Sequence, residues 1–290
     1  MEYEGKMSDK NKSVERSAAN VWALKIIGVL AVLVLLAIAF FLGRTTAPGA
    51  NAPAASPSSP QKTTAGGATA GDAQKAVADF VAQTGLVPGQ DFASSVTNEG
   101  GLKAMKILRD GADEPERTLG KPDAPVTLTV LSDFSCPMCT SWGNDTLPKL
   151  QKYVDDGTLK IQWHNMVIFA DQYQSDIAAK ASIAAMKQGK LWDFVRAAYH
   201  TAPEGEHPTY DENKVIQIAQ SIGITDLGRF KTDMNSPETQ ATVSEETDSG
   251  HSVGVNGTPF FVLGDSTISG AYPIEYFEHS IEYQKFLATK

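Results

Sequence analysis

Two cysteines occur in this chain, and they stand together as Cys136-Pro137-Met138-Cys139. Two intervening residues let the sulfurs form and break one disulfide, so the spacing suits thiol–disulfide redox chemistry. The preceding run, Val126-Thr-Leu-Thr-Val-Leu131, predicts a buried strand, and Pro137 to about Asp155 predicts a helix with proline at its first position. Cys136 is therefore expected at a strand-to-helix junction. Free backbone N–H groups and the positive end of the helix dipole favour a thiolate there. On that reading Cys136 is the exposed, attacking sulfur and Cys139 the resolving one, with Pro137 and Met138 modulating the pair from the first helical turn.

Two plainer uses of the same residues compete with this one. Four-coordinate zinc would need two further ligands from His164, His200, His207, His251 or His279, and none of these pair at the spacing of a zinc half-site, so no metal is expected. An inert disulfide closing so short a loop would constrain the unfolded chain little.

The elements that must position the pair follow from the pattern on either side. Pro148 is expected to kink the helix after Cys136, Gly157 to end it in a left-handed turn, and Leu159 to His164 to form a second strand. From Gln172 to about Ser252 the pattern is helical almost throughout, with helices predicted over 177–187, 191–200, 213–222, 227–235 and 238–247. Strand signals return at Pro259 to Leu263 and Ser266 to Ser269, joined by a Gly264-Asp265 turn, and a last helix is predicted from Ile274 to about Leu287. Upstream, Asp72 to Gly85 reads as a helix and Leu102 to Leu108 as a short strand. Trp192 and Phe194 read as core of the helical block, and His251 as a helix-end residue.

The N-terminal part bears on where this chemistry takes place. Ile26 to Gly43 is an 18-residue run without a charge, extended backwards through Val21 and Trp22, and is long enough to cross a bilayer as a helix. It exceeds the usual apolar region of a cleaved signal peptide, so an uncleaved anchor is expected. Lys6, Lys10, Lys12, Arg16 and Lys25 precede or open the span, whereas only Arg44 and Lys62 follow closely, which places the N-terminus in the cytoplasm. The expected organisation is a cytoplasmic tail (1–20), a transmembrane helix (21–43) and a disordered Ala/Pro/Ser/Thr-rich linker (44–71). An N-terminal extension (72–118) and a redox domain (119–290) complete it, both outside the cytoplasm. A formal net charge of −9 over 290 residues offers no basic surface for nucleic acid.

Several motifs in one order carry a resemblance: Phe134-Ser-Cys-Pro-Met-Cys139, the Leu147-Pro148 kink, Gln188-Gly-Lys-Leu-Trp192, Val255-Asn-Gly-Thr-Pro259 and Ser269-Gly-Ala271. Together they resemble the DsbA-like thiol-disulfide oxidoreductases, notably the membrane-anchored bacterial forms, over roughly Gly120 to Tyr283. The resemblance implies an α/β, thioredoxin-like fold with an inserted helical domain at about 172–252. It implies an enzyme that introduces disulfides into exported, cysteine-containing clients, needs no cofactor beyond the Cys136–Cys139 disulfide, and is reoxidised by a membrane or extracytoplasmic redox partner. It further implies a cis Thr258–Pro259 peptide facing the cysteines, with Thr258 and Pro259 binding an extended client.

Two positions depart from that pattern. Met138 stands where strongly oxidising members often have histidine, and Val130 where many have a buried glutamate. Asp133 lies near, and its plainer reading is a cap at the strand end. A reductase or isomerase of the same fold, and a tethered peptide-binding module without catalysis, are the alternatives.

Overall fold

A computed structural model describes residues 70–289. The expected tail (1–20), span (21–43) and linker (44–71) lie outside the described residues, except that Ala70 and Gly71 already open the first helix. Among the described residues no helix is long and apolar enough to cross a membrane.

Helix α1 (Ala70–Thr84) turns Phe80 into a small aromatic cluster with Phe92 and Tyr283. Helix α2 (Glu99–Asp110) contains the stretch Leu102 to Leu108, which the sequence pattern had suggested as a strand, so that reading is corrected. Three local features make it a helix. Asn98 caps it, accepting from Gly101 N at 2.7 Å; Met105 and Leu108 fall on one buried face; and Glu99 and Arg109 suit the two ends of the dipole. Gly101 signals a turn by composition, yet its role here is close approach, because a Cβ at this position would run into Val96.

A single 3₁₀ turn (Pro115–Arg117) leads into the short strand β1 (Thr118–Leu119) and then β2 (Val126–Ser132). The helix after the cysteines comes in three pieces: α3 (Pro137–Ser141), a π turn (Trp142–Thr146) and α4 (Leu147–Asp155). The expected kink is thus realised as a π turn just ahead of Pro148, with Leu147 N bonding back to Trp142 O. Gly157, at φ +81°, makes the left-handed stop before β3 (Leu159–Asn165).

The helical insert follows as α5 (Ala170–Tyr173), α6 (Ser175–Met186), α7 (Leu191–His200), α8 (Glu212–Ser221), α9 (Leu227–Met234) and α10 (Pro237–Ser252). Strands β4 (Phe260–Leu263) and β5 (Ser266–Ser269) then form the predicted hairpin, and α11 (Ile274–Ala288) closes the domain. Among the described residues the sheet order is β1-β3-β2-β4-β5, with β2 and β3 parallel and the other neighbours antiparallel. A parallel pair requires a crossover, which α3 to α4 supplies. That crossover carries the cysteines from the end of the central strand.

The N-terminal extension is integral to this domain. Val96 N bonds Asp265 O at 2.7 Å and Ser95 bridges Ser266, so the extension covers the outer edge of β5. At the other side, Arg117 is buried and pairs with Glu246 of α10, while Glu246 Oε2 accepts from Asn165 N and Nδ2 at 2.9 and 2.8 Å. These bonds clamp the insert to β3.

Candidate active site

Strand β2 ends at Ser132, and four residues turn the chain into α3, with Cys136 as its N-cap residue. Asp133 fixes this turn. Its carboxylate accepts from Ser135 N (2.7 Å), Ile168 N (2.7 Å), Phe169 N (3.1 Å) and Ser175 Oγ (2.8 Å), tying the cysteine turn to the loop after β3. Burial raises its pKa while those four hydrogen bonds oppose the rise. With both oxygens so occupied, Asp133 serves as the strand-end cap that the plainer reading gave it.

The expectation that Cys136 is exposed needs correction. It is 4% exposed, against 0% for Cys139, so both sulfurs are buried and only Cys136 reaches solvent at all. Beside it stands Thr258, joined to Pro259 by a cis peptide at the entrance to β4. In its thiol form Cys136 donates to Thr258 O at 3.3 Å. Pro137 lies at the first position of α3, and Met138 beside it is 50% exposed.

The two thiols are driven apart in acidity. The Cys139 thiol, hydrogen-bonding to Cys136, is the largest influence bringing Cys136 down from 9.0 to about 6; burial opposes, and the Thr258 hydroxyl and the N–H groups of Cys139 and Met138 assist. Burial, followed by the bond to Cys136, pushes Cys139 well above 9.0. The first-turn N–H groups expected from the sequence do contribute. The larger contribution comes from the second cysteine.

The thioredoxin family model matches residues 112–283, more than half of the chain. The chain belongs to the thioredoxin family. A Bacillus cereus protein named probable disulfide bond formation protein D is 29% identical over 171 residues, which are 55% of this chain and 78% of that one. The crystal structure of oxidised BdbD from Bacillus subtilis superposes with a TM-score of 0.54 at 24% identity, covering 61% of this chain and 94% of that one. The thiol-disulfide exchange protein α-DsbA2 from Wolbachia pipientis gives a TM-score of 0.53 at 23% identity, covering 63% and 94%. Within the family this chain is a protein thiol-disulfide oxidoreductase.

Around the cysteines of this oxidoreductase stand groups that the linear pattern did not reveal. Ser132 Oγ lies 2.6 Å from Tyr199 OH, both buried. On the other flank His207 stacks on Tyr173 at 4.5 Å and places Nδ1 2.7 Å from Ser135 O. Neither Tyr199 nor His207 carries a motif signal, because each reaches the site from the insert. Val130 is buried in register between Trp163 and Phe261, a position that favours an apolar side chain over a glutamate. Trp192 and Phe194 are core, with Trp192 Nε1 donating to Arg117 O at 3.1 Å, and His251 sits in the last turn of α10.

Proposed function

We propose that Cys136 and Cys139 are the redox pair of an extracytoplasmic oxidase that introduces disulfides into exported proteins. In its oxidised form the pair is a disulfide. A client thiolate attacks Cys136 Sγ, the sulfur–sulfur bond breaks, and its electron pair leaves on Cys139 Sγ. A second client thiolate then attacks the client sulfur of the mixed disulfide and expels Cys136 as a thiolate. The client ends oxidised and the enzyme reduced, so a redox partner must return two electrons' worth of oxidation. The carrying observation is the asymmetry of the pair, with Cys136 brought to about 6 and Cys139 held well above 9.0. A stabilised Cys136 thiolate is a good leaving group and favours the reduced enzyme, which is the direction of an oxidase.

Thr258, whose carbonyl meets Cys136, and Pro259 take the role of client contact, with the backbone of Thr258 pairing to an extended segment. Met138, half-exposed in the first turn of α3, meets the client first. Residues 21–43 hold the protein in the bilayer with the domain outside, as the basic residues before the span support. The test is trapping in cells. Cys139→Ala accumulates mixed disulfides with exported proteins and Cys136→Ala does not; equal trapping by both, or by neither, overturns the roles.

A further inference from the structure

We propose that His207, reaching over from the helical insert, is a positioning residue for thiol exchange at Cys136: its Nδ1–H holds the Ser135 carbonyl and so fixes the backbone that carries the attacked sulfur. This rests on the reading of Cys136 and Cys139 as the redox pair. Ser135 is fully buried, and its carbonyl stands just ahead of α3. The helix supplies it no donor, since the first backbone bond of α3 runs from Thr140 N to Cys136 O at 3.0 Å. A buried carbonyl left unpaired is costly, and His207 Nδ1 meets this one at 2.7 Å. Because a carbonyl only accepts, the proton belongs on Nδ1, and the tautomer follows from the contact. The accepting oxygen shares a peptide unit with Cys136 N, so Nδ1 stands within about 7 Å of Cys136 Cα.

The imidazole is held for that task by two other rings. Tyr173 stacks on it at 4.5 Å with 5° between the planes, and Phe169 packs edge-on at 4.6 Å. Both come from the segment after β3 that Asp133 already ties to the cysteine turn through Ile168 N and Phe169 N. Tyr173 O also accepts from Tyr210 N at 3.2 Å, so Tyr173 holds the loop carrying His207 by main chain as well as by ring. Directly after it comes Gln174 at φ +58°, among the described residues the one non-glycine in the left-handed region. Such a backbone is costly for a side chain and persists where the surroundings enforce it; here it turns the chain between α5 and α6. The consequence lies at Cys136, whose extended N-cap backbone keeps its sulfur 3.3 Å from Thr258 O. Without His207 the peptide between Ser135 and Cys136 keeps one tether, the bond from Cys136 N to Asp133 O at 3.2 Å within the turn itself. A tilt of that peptide carries the sulfur off the line an incoming thiolate must take, and away from the first-turn N–H groups that favour its own thiolate.

Two variants separate the donor from the ring. His207→Phe keeps an aromatic ring against Tyr173 and Phe169 but offers no N–H, whereas His207→Asn gives up the ring and keeps an amide N–H where Nδ1 stands. With oxidised full-length protein and glutathione as attacking thiol, opening of the disulfide at Cys136 should slow about tenfold in His207→Phe and stay within about twofold of wild type in His207→Asn. In the reduced protein, the pH midpoint of Cys136 alkylation by iodoacetamide should rise by about half a unit or more in His207→Phe and hold in His207→Asn, a pattern that loss of packing would not produce. Rates and midpoints like those of wild type in both variants, or an asparagine variant as impaired as the phenylalanine one, overturn the inference while the redox pair stands. Wild-type protein in which glutathione cannot open a Cys136–Cys139 disulfide overturns the pair and the inference with it.

Discussion

Replacing Cys139 with alanine removes the strongest influence on Cys136 and should return its acidity part of the way to that of an ordinary thiol. A hydrogen bond to a charged group contributes about 1.5–3 kcal/mol, or about one to two pKa units at about 1.4 kcal/mol each. The Cys136 midpoint should therefore move from about 6 to about 7–8. At pH 7 the thiolate fraction then falls from about 90% to about 10–50%. The first-turn N–H groups and the Thr258 hydroxyl remain in the variant, which is why the shift stops short of 9.0. The assay is the rate of Cys136 alkylation by iodoacetamide against pH on the reduced full-length protein. Cys139→Ser, which keeps a hydroxyl donor at the same place, should hold the midpoint within about half a unit of the wild type. If the alanine variant titrates like the wild type, or serine raises the midpoint as much as alanine does, the neighbouring thiol is not what holds Cys136 ionised.

Other outcomes follow from the same structure. Met138→His places a titratable cation in the first turn of α3 and should make the pair more oxidising by some tens of millivolts, at 30 mV per about 1.4 kcal/mol in a glutathione equilibrium; a more negative potential contradicts this. Burial lowers the pKa of His164, whose Nε2 donates to Glu246 O at 2.9 Å while Nδ1 is buried without a partner. The unfolded chain then binds a proton that the folded chain refuses, so stability is whole above the ordinary value of 6.5 and falls as pH drops below it. Melting temperature should decline more steeply below that pH in the wild type than in His164→Gln, and parallel curves would refute the assignment. Protease added outside intact cells, after wall removal, should cut within residues 44–71 and release the domain; a protected linker would reverse the proposed orientation.

The sheet and the insert were legible because their signals are local. Val126 to Leu131 is an unbroken apolar run between turn residues, Gly264-Asp265 marks a hairpin, and the helices of the insert repeat apolar residues at helical spacing. The stretch from Leu102 to Leu108 misled because a short apolar run looks alike in either state, and what decides it is the Asn98 cap and the packing of Met105 and Leu108. Cys136 and Cys139 stand out from spacing alone, and Thr258 and Pro259 are candidates only through a family resemblance. Tyr199, His207 and the burial of Cys136 were not legible, since they depend on an insert that brings residues dozens of positions away over the cysteine turn. The acidity of Cys136 was foreseen in direction, but its main cause is a side chain contact that a linear reading assigns to the helix end.

The oxidase reading rests on a stabilised Cys136 thiolate beside a Cys139 that stays protonated, which together favour the reduced pair. Its most direct test is the reduction potential of the Cys136–Cys139 couple in full-length protein, equilibrated in defined glutathione buffers. The account predicts a value above about −180 mV, on the oxidising side of protein disulfide isomerase. A value at or below about −230 mV, toward thioredoxin, would contradict it and make the protein a reductant of its clients.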